Sequence, residues 1–139
     1  MRSTRKATLP ALLAGLAVLA LVTGGCAGAS DAEVSSVSDE FRQALASQDG
    51  SGACGLLSPQ TVSELEQSSG QPCSAAVLDE HVPSAGDPVS VRIYGRMAQV
   101  RYADDTVFLS RFHDGWRLIA AGCQLSGTAQ RFDCQVKGV

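Results

Sequence analysis

Apolar residues recur at two spacings along the chain, three to four positions apart after residue 30 and two positions apart after residue 88. The helical spacing is followed by Val34, Val37, Phe41 and Leu45. Charged residues, Arg42 among them, fall mostly on the opposite side, so this segment predicts one amphipathic helix. Ser30 and Glu33 form a capping-box pattern that puts its start near residue 31, and the glycine-containing run 49–52 ends it.

Two short helices are predicted to follow. The first covers about Pro59–Ser68, where Ser58 is an N-cap and a proline occupies the first helical position. The second runs from Pro72 through Leu78.

After residue 87 apolar and polar residues alternate, which is the period of β-strands. Four strands and a short tail strand are predicted, at 89–94, 98–102, 106–113, 116–123 and 131–136. Helices followed by antiparallel strands predict an α+β fold. We expect the helices to pack on one face of a curved, four- to five-stranded antiparallel sheet.

Two local details follow from the strand pattern. Asp114-Gly115 predicts a type I′ turn, because both central positions of that turn need a positive φ. In the fourth strand, alternation puts Trp116 and Ala120 on one face and Ala121 on the other.

The first 25 residues differ in composition from the rest. Arg2, Arg5 and Lys6 precede the uncharged, Leu- and Ala-rich run Leu9–Val22, which is the pattern of a secretory signal peptide. The run is shorter than the roughly 20 residues that a membrane-spanning helix needs.

Gly24-Gly25-Cys26 resembles the lipobox of bacterial lipoproteins, in which small residues precede a thiol that is diacylated; Thr23 stands where Leu is usual. The resemblance implies that residues 1–25 are a signal peptide, 26–30 a lipidated tether and 31–139 a single domain. It also implies palmitate on Cys26 and a place on the outer face of the cell membrane. A cleaved secreted protein and an uncleaved membrane anchor stay open as alternatives.

Length and charge narrow the function classes. A chain of 139 residues has the size of one domain. Without the three basic residues of the signal segment it carries 8 basic and 14 acidic side chains. The arginines of the predicted strands are interleaved with acidic and apolar residues, so no basic patch suited to nucleic acid is expected.

The number of cysteines also indicates an exported protein. Apart from Cys26, the chain has the even set Cys54, Cys73, Cys123 and Cys134, which an oxidising environment would pair. Three connectivities are open, and the pairs Cys54–Cys73 and Cys123–Cys134 are favoured because each flanks one local unit. A metal site is disfavoured, since no C-x-x-C spacing occurs.

A family resemblance covers about residues 31–136. The order of elements, the run Asp114-Gly115-Trp116-Arg117, and Ala120-Ala121-Gly122-Cys123 ahead of Asp133-Cys134 resemble small actinobacterial lipoproteins of the nuclear transport factor 2-like type. The resemblance implies a cone-shaped fold whose sheet wraps the first helix around a cavity. Enzymes with this general fold place an Asp or His base and a Tyr or Asp oxyanion donor inside the cone.

Few residues are candidates for such chemistry. His113 and the pair Asp104-Asp105 are expected to be exposed turn residues. The side chains proposed as pocket lining are Tyr94, Tyr102, Trp116 and Phe41, with core packing as the simpler role. No catalytic residue, cofactor or metal ligand is assigned.

Two functions are therefore weighed. The favoured one is a non-catalytic envelope module, held at the membrane by its lipid, that binds an envelope protein or a small apolar ligand. The alternative is an isomerase- or cyclase-like enzyme acting on a small hydrophobic substrate in the cone. An Asp or His enclosed by the sheet and the first helix would favour the enzyme, whereas a filled core would favour protein interaction.

Overall fold

The computed structural model describes residues 26–83, 86–128 and 130–138, so the predicted signal peptide lies outside the described residues. Four helices precede five strands: α1 (Cys26–Ala46), α2 (Gly50–Leu56), α3 (Pro59–Ser69), α4 (Cys73–Asp79), β1 (Ser90–Tyr94), β2 (Met97–Arg101), β3 (Thr106–Phe112), β4 (Gly115–Ser126) and β5 (Arg131–Lys137). The strands form one antiparallel sheet in chain order. The predicted α+β class, the antiparallel sheet and two disulfides are confirmed. Within the described part of the chain, no helix is long and apolar enough to cross a bilayer.

The first helix starts earlier than predicted. Its described part runs from Cys26, the first residue that the structure describes, so residues 26–30, which are predicted to be a tether, are helical. The sequence there contains Ala27 and Ala29, and alanine has the highest intrinsic helix propensity. The predicted start near residue 31 is therefore wrong, and the backbone at Cys26 is continuous with the helix that enters the core.

Helix α2 was not predicted, because its segment contains three glycines. Asp49 caps it by accepting a hydrogen bond from the Gly52 amide at 2.9 Å. Gly50 lies so close to α4 that a Cβ atom there would be 1.8 Å from the Ser74 carbonyl oxygen. The disulfide between Cys54 and Cys73 joins the same two helices. Tertiary packing and a crosslink thus override the low helix propensity of the segment.

Helix α3 agrees with the sequence prediction to within one residue at its end. The Ser58 hydroxyl accepts from the Thr61 amide at 3.1 Å, and Gly70 closes the helix with a left-handed φ of 69°. Helix α4 starts at Cys73, one residue after the predicted Pro72.

The predicted faces of β4 are partly wrong. Leu109 pairs with Leu118 whereas Phe108 pairs with Ala120, which leaves Ile119 as an extra residue in β4. This β-bulge shifts the alternation, so Ala121 is fully buried instead of lying on the outer face. A second register shift follows before Cys123, next to Gly122, whose φ is +64°.

The turn between β3 and β4 also differs from the prediction. Phe112 pairs with Gly115, so the turn residues are His113 and Asp114. Gly115 has a φ of +118°, but the non-glycine residues with positive φ in the described ranges are Gln48 and Gln130. His113 and Asp114 therefore both lack the positive φ that a type I′ turn needs at its two central positions.

The core lies between the helices and one face of the sheet. Its largest fully buried side chains include Phe41 of α1 and Val100, Leu109 and Leu118 of the sheet. Trp116 is buried at the edge of this core. On the other face of the sheet the rings of Phe108 and Phe132 meet edge to face, with centroids 4.9 Å apart. A disulfide joins the directly paired Cys123 and Cys134 of β4 and β5.

Candidate functional site

Helix α1 carries polar side chains into the apolar core. Ser38 and Arg42 are both buried, one turn apart and in line with Val34. The prediction that Arg42 lies on the polar side of this helix is therefore wrong. The signal available in the sequence is weak: a serine and an arginine interrupt an apolar stripe at positions i+4 and i+8 from Val34.

Arg42 forms a buried ion pair with Asp105, which follows β2. The side chains of Arg42 and Asp105 are only 4% and 0% exposed. One terminal nitrogen of the guanidinium donates to Oδ1 of Asp105, and the other donates to the carbonyl oxygen of Pro83. Because a buried charge is costly unless it is paired, these bonds hold α1, the α4–β1 segment and the β2–β3 turn together.

Asp105 is not the solvated turn residue that was predicted, although Asp104 is exposed. Burial raises the pKa of the Asp105 carboxyl, while the Arg42 guanidinium and the backbone N–H of Gly122 act against that rise. In the part of the chain that the structure describes, Oδ2 of Asp105 and Nε of Arg42 have no hydrogen-bond partner.

Tyr102 extends the buried polar cluster. The guanidinium carbon of Arg42 lies 3.6 Å from the centroid of its ring, a cation–π contact. The Tyr102 hydroxyl is 2.7 Å from the hydroxyl of Ser38 and donates to Asp39 at 3.1 Å. Burial, assisted by Asp39, raises the pKa of the Tyr102 phenol against the opposing effects of Ser38 and Arg42. The phenol therefore stays protonated at neutral pH.

The cluster borders only a small concavity. A space of about 160 Å³ at the β2–β3 turn is lined by Tyr102, Asp105, Cys123 and Phe132, among others. Sites for small organic ligands usually have about 300–1,000 Å³. The concavity is thus smaller than the usual site for an organic substrate. In addition, Oδ1 of Asp105 already accepts a hydrogen bond from Arg42.

The four side chains proposed as pocket lining separate in the structure. Tyr102 lines the small concavity, whereas Phe41 and Trp116 are buried in the core. Tyr94 is 61% exposed at the end of β1. His113 is exposed, as expected for a turn residue. No group of three or more His, Cys, Asp or Glu side chains suited to a metal ion occurs within the described ranges.

A larger concavity lies on the outside of the molecule, between α1 and α2. It has a volume of about 540 Å³. Its lining consists of Asp39, Glu40, Gln43, Ala44, Ser47, Asp49, Gly52 and Leu56. This α1–α2 groove combines apolar groups with three carboxylates and has no basic side chain in its lining.

Charge is divided between the two layers of the fold. Residues 26–83, the helical part, contain nine acidic side chains and one basic side chain, the buried Arg42. Residues 86–138, the sheet part, contain seven basic and five acidic side chains, of which Asp105 is neutralised by Arg42. The helical surface is therefore strongly acidic, and the described exposed basic groups lie on the sheet.

The geometry defines two candidate sites, a closed polar cluster in the core and an open acidic groove outside it. Comparison of the chain with protein-family models, with curated protein sequences and with solved structures found no match.

Proposed function

We propose that this protein is a lipid-anchored extracytoplasmic module that acts by binding a partner on the outer face of the cell membrane, without catalysis. The two disulfides fit an oxidising, extracytoplasmic compartment. The apolar segment and the lipobox-like residues that precede Cys26 support the anchor.

The observation that carries the binding role is the contrast between the interior and the exterior of the fold. Inside, between α1 and the sheet, apolar side chains are packed together, and the carboxylate of Asp105 is ion-paired with Arg42. Outside, the α1–α2 groove has the volume of a ligand site and opens to solvent. A second outer concavity of about 410 Å³, between α3 and the sheet, has no charged side chain among its described lining residues. The α1–α2 groove is therefore the charged surface that we propose for recognition.

The lining of the groove selects the chemistry of the partner. Ala44 and Leu56 offer apolar contact, and Asp39, Glu40 and Asp49 supply negative charge around it. A segment of an envelope protein that carries basic and apolar side chains complements both features. A small uncharged, apolar ligand would complement the apolar contacts but not the negative charge.

Photo-crosslinking in intact cells tests this proposal. A benzoylphenylalanine introduced at Gln43, an exposed residue in the groove, is expected to give a discrete adduct. The same group at Gln67, exposed on α3, is the matched control and should not give that adduct. Glu40→Lys should weaken the adduct, because it reverses one charge of the groove, whereas Asp133→Lys on β5 makes the same charge change elsewhere and should not. Equal adducts from both crosslinking positions would contradict the groove as the binding surface.

One observation favours the alternative, a cone-cavity enzyme. Asp105 is enclosed by α1 and the sheet, burial raises the pKa of its carboxyl, and the hydroxyl of Tyr102 lies in the same cluster. In such a pair, the carboxylic acid with the raised pKa could act as a general acid, and the protonated phenol could donate a hydrogen bond to an oxyanion. An enzyme acting through this pair would need Arg42 to leave Asp105. Ligand-induced loss of the ion pair, seen as a changed Asp105 carboxyl signal in NMR, would support the enzyme over the binding module.

The nuclear transport factor 2-like type is likewise a proposal about the shape of the fold. Helices on one face of a five-stranded antiparallel sheet, with bulges in β4 that bend the strand, support it. An experimental structure in which the sheet does not curve around α1 would contradict it.

A further inference from the structure

The two ends of the sheet differ in what they present to solvent. One end is formed by the β1–β2 turn at residues 95–96 and the β3–β4 turn at residues 113–114, because these strands are antiparallel and in chain order. The opposite end is formed by the β2–β3 turn and the turn that contains Thr128.

Helix α1 relates these ends to the proposed anchor. Its first part lies at the β3–β4 turn, where a Cβ atom at Gly115 would be 4.0 Å from Oε1 of Glu33. Its later part meets the opposite end, where Arg42 pairs with Asp105. Cys26 lies seven residues before Glu33, which is about 10 Å along a helix axis. Cys26, the proposed attachment point, is therefore on the side of the β1–β2 and β3–β4 turns.

The β1–β2 hairpin carries an exposed set of basic and interfacial side chains, which we name the hairpin patch: Arg92, Tyr94, Arg96 and Met97. Tyr94 and Met97 are direct cross-strand partners and are 61% and 42% exposed. Arg96 donates two hydrogen bonds to the backbone carbonyl of Arg111, which fixes its position at the turn. The guanidinium carbon of Arg111 itself lies 5.9 Å from the ring centroid of the buried Trp116, outside the patch.

The charges of the patch are not neutralised within the fold. Among the described residues, neither of its two arginines forms a salt bridge with a carboxylate. The acidic groups at this end are Asp31 and Glu33 of α1 and Asp114, and Asp114 is engaged by Arg117. Exposed arginines beside a tyrosine and a methionine match the boundary between lipid phosphates and acyl chains, where aromatic rings and basic groups are favourable.

We propose that the hairpin patch docks on the surface of an anionic phospholipid bilayer and orients the domain there. The proposal rests on the proposed membrane anchor, which brings this end of the molecule to the bilayer. The anchor alone would hold the domain at the membrane without fixing its orientation. In the docked orientation, the arginines of the hairpin patch contact lipid phosphates, and Tyr94 and Met97 lie at the headgroup level. The acidic helical surface and its groove then remain free for a partner.

Quenching by brominated lipids tests the proposal in the anchored, full-length protein. Three proteins are reconstituted into phosphatidylcholine vesicles with or without phosphatidylglycerol: the unsubstituted protein with Trp116, Tyr94→Trp in the patch, and Thr128→Trp at the opposite end. Strand β4 separates the two added indoles by about 35 Å. We expect lipid bromine to quench the indole at position 94, more strongly with phosphatidylglycerol present, and to leave the one at 128 unquenched.

Charge reversal gives the matched control. Each arginine near an anionic surface contributes about a fivefold change in the docked population. Arg92→Glu with Arg96→Glu should therefore remove the phosphatidylglycerol-dependent quenching at position 94, whereas Arg131→Glu at the other end should not. Protein that does not sediment with the vesicles would overturn both the anchor and the docking. Anchored protein that is quenched equally at positions 94 and 128 would overturn the docking alone and leave the anchor standing.

Discussion

At the scale of single residues, the buried Arg42–Asp105 pair is the contact on which the interior most depends. Removing one partner leaves the other as an uncompensated charge in the core, and such losses cost about 3–5 kcal/mol. Arg42→Ala is therefore expected to lower the free energy of unfolding by about that amount, measured by urea denaturation of the detergent-solubilised protein.

An apolar double replacement separates charge burial from simple loss of contact. Arg42→Met combined with Asp105→Val removes both charges and keeps most of the buried volume, so it should recover at least half of the loss. A double variant as unstable as Arg42→Ala would show that the ion pair itself, and not the isolated charge, dominates the effect.

The raised pKa of Asp105 predicts a pH dependence of stability. The folded state holds this proton more tightly than the unfolded chain, whose carboxyl titrates near pH 4. The Asp105 contribution is thus fully present below pH 4 and is lost as the pH rises through the raised folded-state pKa. Asp105→Asn should remove this component from unfolding free energies measured between pH 4 and 7. If the stability of the unsubstituted protein relative to the Asp105→Asn variant grows with pH, the prediction is contradicted.

At Cys26 the prediction concerns covalent chemistry. If Cys26 carries the proposed lipid, Cys26→Ser should abolish metabolic labelling with palmitate, because the variant lacks the thiol to which the lipid would be attached. Labelling of the serine variant would rule out Cys26 as the attachment point.

These residues differ in how clearly they can be recognised in the sequence. Cys26 and the disulfide cysteines stand out by position and number. Arg42 and Asp105 do not, because they are 63 residues apart and each has an ordinary exposed role in its own segment. Only the packing of α1 against the β2–β3 turn brings them together, and a local pattern contains no information on that contact.

At the scale of elements, close backbone packing explains α2. Gly50→Ala should lower the free energy of unfolding by about 1–3 kcal/mol, since its methyl group would collide with the backbone of Ser74. Gly55→Ala is the matched control in the same helix: its Cβ meets nothing within 4 Å, so alanine should be neutral or stabilise by about 0.5–1 kcal/mol. Equal destabilisation by both changes would argue against the α2–α4 contact as the cause.

Periodicity predicted the strands well because each strand is long enough to show alternation. It failed in β4, where one extra residue at Ile119 reverses the faces that follow. A bulge depends on the partner strand, so alternation within β4 alone cannot reveal it. Helix α2 was missed for a related reason, because its stability comes from α4 and from the disulfide.

At the scale of the whole molecule, the two disulfides stabilise different layers. The Cys54–Cys73 bridge joins α2 to α4, and the chain-entropy estimate for a loop of that length is about 3 kcal/mol. Cys54→Ser with Cys73→Ser should accelerate amide hydrogen exchange in α2 and α4 while the central strands stay protected. Uniform acceleration across the sheet would show instead that the fold unfolds as one unit.

The separation of acidic helices from a basic sheet is visible in the order of charged residues along the chain. Within the strands the arginines are interleaved with acidic and apolar residues, so no charged surface is predicted from the strands one by one. Strand pairing places these arginines in one layer, with the helices and their nine carboxylates on the other side.

The helical backbone of residues 26–30 has a consequence for the maturation that we propose at Cys26. Proteolytic cleavage concentrates at poorly ordered segments, whereas Cys26 in the folded protein is helical. On this proposal, residues 26–30 are expected to become helical only after the peptide bond before Cys26 has been cut. The proposed lipid would then be joined to the domain through a continuous helix and not through a flexible tether.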